Sequence, residues 1–271
     1  LLDRQYVDLS QKIRSAMEID LLKRTPSSYL GSCRYKLPDV ASDKATFEKI
    51  FAILKELEIE YFFCIGGNDS MDTIAKLSQY AEEIKSPIRF IGVPKTIDND
   101  LAITDHTPGF GSAAKFIAST MKEIIRDGLV YDYPTVTVVE IMGRNAGWLT
   151  AASALSKSED CEGVDLIYLP EKPFNIDMFI TRVKEISASG KSVVIAVSEG
   201  IKLPDGRYVF ELGQHADSVD AFGHKQMSGT ASFLATKLQL ELGVKARAIE
   251  LSTLQRCAAH MTSRTDITEA Y

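Results

Sequence analysis

Two short polar segments carry residue types that suit phosphate chemistry, and each directly follows an apolar run. Residues 66–70 read Gly-Gly-Asn-Asp-Ser after the apolar run 61–65, and residues 94–100 read Pro-Lys-Thr-Ile-Asp-Asn-Asp after the run 88–93. Glycine backbone, a lysine and several carboxylates together suit a phosphorylated ligand and Mg²⁺. If both runs are parallel strands, the two segments lie at the carboxyl edge of a sheet, where α/β proteins bind ligands.

The first segment has a structural and a functional interpretation. Its glycines and Ser70 form a tight strand-to-helix turn with a serine cap, or they present backbone N–H groups that hold a phosphate. Asp69 adds a fixed negative charge that would exclude some phosphoryl donors. The second segment is more specific, because Asp98 and Asp100 offer carboxylates that can accept a proton from a substrate hydroxyl while a cation neutralises the phosphoryl group. The alternative is an ordinary solvated loop.

Three other motifs add arginine or carboxylate groups. Gly31-Ser32-Cys33-Arg34 and Met142-Gly143-Arg144 each place glycine near arginine, whose guanidinium matches phosphate oxygens in pairs. Ser198-Glu199-Gly200 follows the apolar run 193–197. Its carboxylate can hold sugar hydroxyls at the same kind of sheet edge, or it belongs to an ordinary surface turn.

One segment matches a nucleotide-binding pattern outside its usual context. Residues 109–114 fit G-x-G-x-x-A, but Thr107-Pro108 precedes them instead of a strand, so helix initiation is the favoured interpretation. A nicotinamide-dependent dehydrogenase is therefore a distant alternative. The histidines, including His106 and His260, show no metal-ligand spacing and are interpreted as structural or surface groups; Trp148 is assigned to the core.

Composition narrows the class of protein. The 271 residues are 45% apolar and 25% charged, with a net charge of −6, which is ordinary for a soluble domain and argues against nucleic-acid binding. The cysteines, Cys33, Cys64, Cys161 and Cys257, are widely spaced, as in the reduced thiols of a cytoplasmic protein, and we expect several of them to be buried. No apolar stretch is long enough for a membrane span, and we expect no membrane partner.

Helix and strand patterns alternate from about residue 42 onward. Strands are predicted at 61–65, 88–93, 136–141, 166–169 and 193–197, and their continuous apolar character indicates that helices cover both faces of a sheet. Ser42 or Asp43 caps the first helix of this series. The predicted fold is α/β, a three-layer sandwich with a mostly parallel sheet. A hairpin turn is expected at Asp205-Gly206, and a helix at 228–242 with a strand at 246–251 is expected to begin a second, smaller lobe.

Taken in their order along the chain, the motifs closely resemble the phosphofructokinase family, and they cover nearly the whole sequence. The matching segments are Leu30-Gly31-Ser32-Cys33-Arg34, Gly66-Gly67-Asn68-Asp69-Ser70, Pro94-Lys95-Thr96-Ile97-Asp98-Asn99-Asp100, Met142-Gly143-Arg144, Ser198-Glu199-Gly200 and Leu254-Gln255-Arg256.

The resemblance implies reversible transfer of a phosphoryl group to the 1-hydroxyl of fructose 6-phosphate, a step of glycolysis and gluconeogenesis. Members that use ATP have glycine at the positions of Asp69 and Lys95, whereas members that use pyrophosphate have aspartate and lysine, as here. The expected activity is therefore that of a diphosphate–fructose-6-phosphate 1-phosphotransferase. An ATP-dependent enzyme and a non-catalytic regulatory subunit of the same family are the alternatives.

The resemblance also implies a role for each site residue. Asp98 is the general base, and Lys95 and Asp69 act with it on the donor. The sugar-phosphate pocket is made by Thr96, Ile97, Asp98, Met142, Gly143, Arg144, Glu199 and Arg247. Donor phosphates are contacted by Gly67, Arg34 and Ser70, and Mg²⁺ is held near Asn68 and Asp100.

Some positions depart from the family pattern. Asn68 replaces an aspartate near Mg²⁺, Thr135 replaces a phosphate-binding arginine, and Thr253 replaces a histidine or tyrosine. Against the family, the first βαβ unit and the segment that follows residue 271 are missing from the sequence given. We expect residues 1–200 to form the donor-binding α/β domain, interrupted near 130–200 by the sugar-phosphate lobe, with 201–271 as the remainder of that lobe. A homodimer or homotetramer is also expected.

Overall fold

The chain divides into two compact units, Leu1–Thr96 and Ile97–Tyr271. The structure is a computed structural model and describes residues 1–25, 28–33, 35–213 and 227–270. Each unit contains its own sheet, and every strand pair is parallel. The division into donor and sugar-phosphate domains described above concerns function and stays a prediction.

The described residues of the first unit form a two-stranded parallel sheet with three α-helices. Strand β1 pairs with β2 from Tyr61↔Arg89 to Gly66↔Pro94. The elements are a 3-10 helix at Leu9–Gln11, α1 at Ala16–Arg24, α2 at Lys44–Glu56, β1 at Tyr61–Gly66, α3 at Asn68–Glu83 and β2 at Arg89–Pro94. Asp43 caps α2 by accepting a hydrogen bond from Thr46 N, so one of the two cap residues considered is confirmed.

The core of the first unit lies on one face of its sheet. Phe47, Phe51 and Tyr80 from the helices pack together with Leu77. The other face of β1 is open: Tyr61, Phe63 and Ile65 are 56%, 59% and 62% exposed. The prediction that β1 is buried on both faces is therefore wrong for the described residues, because its alternate side chains meet no covering element.

The second unit is a four-stranded parallel sheet in the order β4-β5-β3-β6. Its strands are β3 at Thr135–Ile141, β4 at Leu166–Tyr168, β5 at Val193–Ser198 and β6 at Lys245–Glu250. Its helices are α4 at Phe110–Gly128, α5 at Trp148–Ala152, α6 at Ile176–Ser187, α7 at Thr230–Leu242 and α8 at Arg264–Ala270, with 3-10 helices at Ser153–Ser156, Val209–Leu212, Ser252–Arg256 and Ala259–Met261.

Helices cover both faces of this sheet, which confirms the predicted three-layer arrangement. Val136 and Val138 of β3 point to a cluster that includes residues of α6 and α7. Val139 and Ile141 point to the opposite cluster, which includes residues of α4 and α5. This alternation follows from the two-residue period of a strand.

Most of the predicted elements are present, with ends shifted by a few residues. The hairpin turn is confirmed, because Leu203 N donates to Arg207 O at 2.8 Å and Gly206 has φ +88°. Helix α7 and strand β6 do not begin a separate lobe: β6 pairs with β3 in the same sheet. Trp148 is 56% exposed, so its assignment to the core is wrong.

Two features bear on the environment of the chain. All four cysteines lie in the described ranges and carry free thiols. Cys161 is buried, Cys64 and Cys257 are partly buried and Cys33 is exposed, so the prediction that several are buried holds for Cys161 alone. Within those ranges, none of the helices combines the length and the apolar composition needed to cross a bilayer.

Candidate active site

In the first unit, the glycine-rich segment and Lys95 lie at neighbouring strand ends. Strand β1 ends at Gly66, which is paired with Pro94 at the end of β2. The backbone N–H of Lys95 donates to the carbonyl of Gly66 at 2.8 Å. The carboxyl edge of this small sheet therefore brings the lysine beside the turn that begins α3.

The turn itself presents polar groups to solvent. Gly67 is the N-cap of α3, and its carbonyl accepts hydrogen bonds from Ser70 N and Met71 N. A Cβ at Gly67 would lie 3.7 Å from the carbonyl of Lys95, an ordinary contact. Because local packing does not demand glycine there, approach by a ligand is a better reason for it. Asn68 and Asp69 are exposed in the first turn of α3, where the helix dipole stabilises the carboxylate.

In the second unit, Asp98 and Asp100 flank a buried asparagine. Ile97 packs against the apolar cluster under α4, Asp98 is half-buried and Asp100 is exposed. Asn99 is 6% exposed and has φ +55°. The polar segment is thus anchored by its neighbours on both sides of Asp98, while the two carboxylates remain accessible.

The segment 142–147 forms a turn that is held by Glu199. The N–H groups of Gly143 and Arg144 both donate to Glu199 Oε1, at 3.3 and 3.1 Å. Gly143 has φ +142° and Arg144 has φ +50°. A Cβ at Gly200 would collide with the carbonyl of Arg144, so the chain after Glu199 must be glycine for the two backbones to approach this closely.

Glu199 is a buried carboxylate with an unusual pKa. It is 7% exposed; its pKa is raised to about 7, chiefly by burial, and the negative charge of Asp98 acts in the same direction. The N–H bonds from Arg144 and Gly143 act in the opposite direction. Asp98, the predicted base, therefore lies close enough to Glu199, the predicted sugar-binding carboxylate, for its charge to affect the pKa of Glu199.

Two further side chains hold the same turn, and neither was assigned a role from the sequence. Gln255, 2% exposed, accepts a hydrogen bond from Met142 N through Oε1 at 3.1 Å. Glu171 accepts one from Gly147 N at 2.7 Å. Gln255 stands inside one of the matched motifs, which is the signal that might have drawn attention to it; Glu171 gives no such signal.

A second buried glutamate lies close to the turn and was also missed. Glu140 of β3 is 5% exposed and accepts a hydrogen bond from Ala231 N at the start of α7, at 2.8 Å. Burial raises its pKa to about 7, and the charges of Glu250 and Glu199 contribute in the same direction. A lone carboxylate within the apolar run 136–141 was the available signal.

Within the second unit, Arg247 is not brought into this group. Arg247 lies within β6, and its guanidinium donates to Thr137 Oγ1 at 3.0 Å and to Asp127 Oδ2 at 2.8 Å. Thr96 is the last residue of the first unit. Arg34 lies outside the described residues.

The dinucleotide-like segment and His106 have structural roles. Gly109 has φ +106° and is the N-cap of α4, as the helix-initiation interpretation predicts. His106 Nδ1 is 2.7 Å from Glu269 Oε1, and ligand atoms of His106, Asp266 and Glu269 lie within 4.8 Å of one another. Asp266 is engaged by hydrogen-bond donors of the α4 start, so the group fastens α8 to that helix.

The sequence is similar to a known protein family and to named relatives. The sequence model described as phosphofructokinase matches residues 2–257. A "Pyrophosphate--fructose 6-phosphate 1-phosphotransferase" of Xanthomonas campestris pv. campestris (strain B100) is 41% identical over 99% of this chain and 64% of its own length. The chain thus spans about 64% of that relative.

Solved structures are similar as well. The pyrophosphate-dependent phosphofructokinase of Nitrosospira multiformis matches with a TM-score of 0.79 and 37% identity, over 95% of this chain and 59% of that one. The pyrophosphate-dependent phosphofructokinase of Marinobacter aquaeolei matches with a TM-score of 0.78 and 35% identity, over 96% and 59%. With the family model matched over nearly all of its length, the chain belongs to the phosphofructokinase family.

Proposed function

We propose that the protein transfers a phosphoryl group from pyrophosphate to the 1-hydroxyl of fructose 6-phosphate, giving fructose 1,6-bisphosphate and phosphate. The reaction is reversible and serves glycolysis and gluconeogenesis. The observation that carries the proposal concerns Glu199 and Asp98. The Glu199 carboxylate accepts hydrogen bonds from the 142–147 turn, and the negative charge of Asp98 contributes to its raised pKa. The name and 41% identity of the Xanthomonas relative support it.

On the sugar side, Asp98 is the residue that reacts. Its carboxylate accepts the proton of the 1-hydroxyl as the oxygen forms its bond to phosphorus and the bond from phosphorus to the leaving phosphate breaks. Glu199 and the turn that it fixes orient the sugar. The pocket residues are Thr96, Ile97, Met142, Gly143, Arg144, Glu199 and Arg247, the last of them reaching the 6-phosphate of a neighbouring subunit.

On the donor side, charge selects pyrophosphate. Lys95 stabilises the negative charge of the phosphoryl group in transfer. Asp69 repels the α-phosphate that ATP would place there, whereas pyrophosphate has no such group. Gly67 and Ser70 contact the donor through a backbone N–H and a hydroxyl, and Arg34 contributes a guanidinium.

We propose Mg²⁺ as the cofactor. Asn68 in the first unit and Asp100 in the second each have an exposed side chain with an oxygen of the kind that Mg²⁺ prefers. When bound, the ion neutralises charge on the donor phosphates. We further propose a cytoplasmic homodimer or homotetramer, and the free thiols of all four cysteines are in keeping with that compartment.

A two-donor assay tests the proposal directly. The natural protein that carries this sequence is incubated with fructose 6-phosphate, Mg²⁺ and either pyrophosphate or ATP, and fructose 1,6-bisphosphate is measured. We expect turnover with pyrophosphate and little with ATP. Turnover with ATP alone would instead identify an ATP-dependent member, and no turnover with either donor would indicate a regulatory subunit.

Variants assign the roles of the two charged sites. Asp98→Ala is expected to lower kcat by about 10²–10⁴-fold, the usual cost of losing a general base. Asp105→Ala, on the same loop and without an assigned role, is the control and should retain turnover. Asp69→Gly combined with Lys95→Gly should weaken use of pyrophosphate and admit ATP. Nearly full turnover in Asp98→Ala would show that Asp98 is not the general base and would contradict the proposed mechanism.

A further inference from the structure

Asn99 is buried between the two carboxylates of the candidate site and has a backbone conformation that few residues adopt. It is 6% exposed, with φ +55°, and asparagine is one of the few residues other than glycine that occupy this left-handed region readily. Its neighbours Asp98 and Asp100 are more exposed. The side chain that points inward at this segment is therefore the amide.

The amide closes the loop that follows it. Asn99 Oδ1 accepts hydrogen bonds from Thr107 N at 2.9 Å and from Thr107 Oγ1 at 3.2 Å. Asn99 Nδ2 donates to the carbonyl of Asp105 at 3.2 Å. Both the acceptor and the donor of the amide are thus used, and an aspartate could not supply the second of these bonds.

The far end of the same loop is fixed as well. Thr107 is fully buried, and two residues later the N–H of Gly109 donates to Asp266 Oδ1 at 2.8 Å. The loop 99–109 is thus closed by Asn99 at one end and held by Asp266 at the other. Displacing Asn99 would therefore free the start of the loop, where Asp98 and Asp100 are attached.

We propose that Asn99 is a positioning residue that fixes the carboxylate of Asp98 for proton abstraction. The inference rests on the proposed function, because it assigns Asn99 a part in that reaction. Asn99 touches neither sugar nor donor in this role; it acts through the backbone of its neighbour. Misplacement of a reacting group by about 1 Å costs on the order of 100-fold in rate, so a loosened loop should lower kcat strongly.

The experiment compares Asn99→Gly with a matched control. Glycine tolerates the positive φ, so this variant removes the hydrogen bonds without backbone strain. Asn175→Gly removes an asparagine that caps α6 by accepting a bond from Met178 N at 2.9 Å. In the two-donor assay we expect Asn99→Gly to lower kcat by about 10- to 100-fold with a KM for fructose 6-phosphate within about threefold of the wild type. Asn175→Gly should lower thermal stability and leave kcat unchanged.

A double-mutant cycle separates positioning from general destabilisation. If Asn99 acts through Asp98, then Asn99→Gly should cost less than about twofold in kcat when Asp98 is already alanine. An equal cost in both backgrounds would overturn the proposal, as would unchanged kcat in a folded Asn99→Gly protein. Should that variant not fold, Thr107→Val removes the hydroxyl that donates to Asn99 Oδ1 and is expected to lower kcat moderately with KM unchanged; unchanged kcat would overturn the proposal too.

The two proposals fail in different ways. Wild-type protein that turns over neither donor would end the proposed function and the role of Asn99 with it. Wild-type protein that is active, beside a folded Asn99→Gly protein that is equally active, would leave the function intact and end only the positioning role.

Discussion

At the scale of single residues, the candidate site contains two buried carboxylates, and burial disfavours the ionised form of each. Glu199 and Glu140 are both almost fully buried, and burial raises the pKa of each to about 7. Backbone N–H groups partly compensate: Glu199 accepts from the 142–147 turn and Glu140 from the start of α7. The strength of the hydrogen bonds that hold the turn and the start of α7 therefore depends on whether Glu199 and Glu140 are ionised.

This arrangement gives a pH dependence of stability with a definite sign. The pKa of Glu140 is raised from 4.5 to about 7 in the folded protein, so the folded state binds its proton more tightly than the unfolded state. The contribution to stability is fully present below about pH 4.5 and is lost as pH rises toward 7, with a slope of up to about 1.4 kcal/mol per pH unit.

We expect Glu140→Gln to remove this contribution. The free energy of unfolding of the variant should decrease less than that of the wild type between pH 5 and pH 8, measured by urea denaturation at several pH values (~1.4 kcal/mol per unit at most). Glu83→Gln, which removes an exposed carboxylate at the end of α3, is the control. Parallel pH profiles of wild type and Glu140→Gln would contradict the assignment.

Candidate site residues could be picked from the sequence where motifs carry them and not where packing does. Asp98, Gly143 and Glu199 were assigned to one predicted pocket, and all three lie in the second unit. Glu140 was missed because its N–H partner at residue 231 is 91 residues away in the sequence. No local pattern encodes such a distant hydrogen bond.

At the scale of elements, α4 is capped from outside its own sequence. Its N-cap residue, Gly109, has no side chain to accept a hydrogen bond. Asp266 of α8 supplies the missing acceptor: Oδ1 accepts from Gly109 N at 2.8 Å, and Oδ2 accepts from Ser112 N at 2.6 Å and from Ser112 Oγ. Although burial alone would raise the pKa of Asp266, the bonds from Ser112, Gly109 and Ser263 hold it below its ordinary value.

Removing this carboxylate should cost more than removing a local cap. We expect Asp266→Ala to lower the free energy of unfolding at pH 7 by about 2–3 kcal/mol, because it strands several buried donors. Asp43→Ala, which deletes the local cap of α2, should cost about 1 kcal/mol. Both are measured by chemical denaturation, and equal losses would show that the bonds across α8 and α4 add nothing beyond an ordinary cap.

Element prediction succeeded where periodicity dominates. The continuous apolar strands of the second unit were predicted because burial imposes a regular pattern. The open face of β1 could not be predicted, since an apolar strand looks the same in sequence whether or not something covers it. The cap of α4 by Asp266 depends on a contact 157 residues apart.

At the scale of the whole molecule, the two units have unequal cores. The first unit packs two strands and leaves Tyr61, Phe63 and Ile65 open to solvent. The second packs four strands between two helical layers. A two-stranded sheet is marginal by itself, whereas a sheet covered on both faces buries far more apolar surface.

Hydrogen exchange should therefore differ between the units. We expect backbone amides of β1 and β2 to exchange faster than those of β3 and β5, measured by mass spectrometry on peptides from each sheet. The comparison is made in the wild-type chain at one pH and temperature. Equal protection in the two sheets would contradict this prediction, because it would mean that the exposed face of β1 does not lower the local stability of its sheet.

The contact between Gly200 and the carbonyl of Arg144 has an evolutionary consequence. Selection at position 200 comes from backbone crowding, because any side chain there would collide with that carbonyl. A descendant that lost all catalysis would still retain this glycine as long as it retained the turn. Its presence in a distant homologue would thus record inherited shape, whereas Asp98 and Lys95 are the residues to which the proposed function assigns the chemistry.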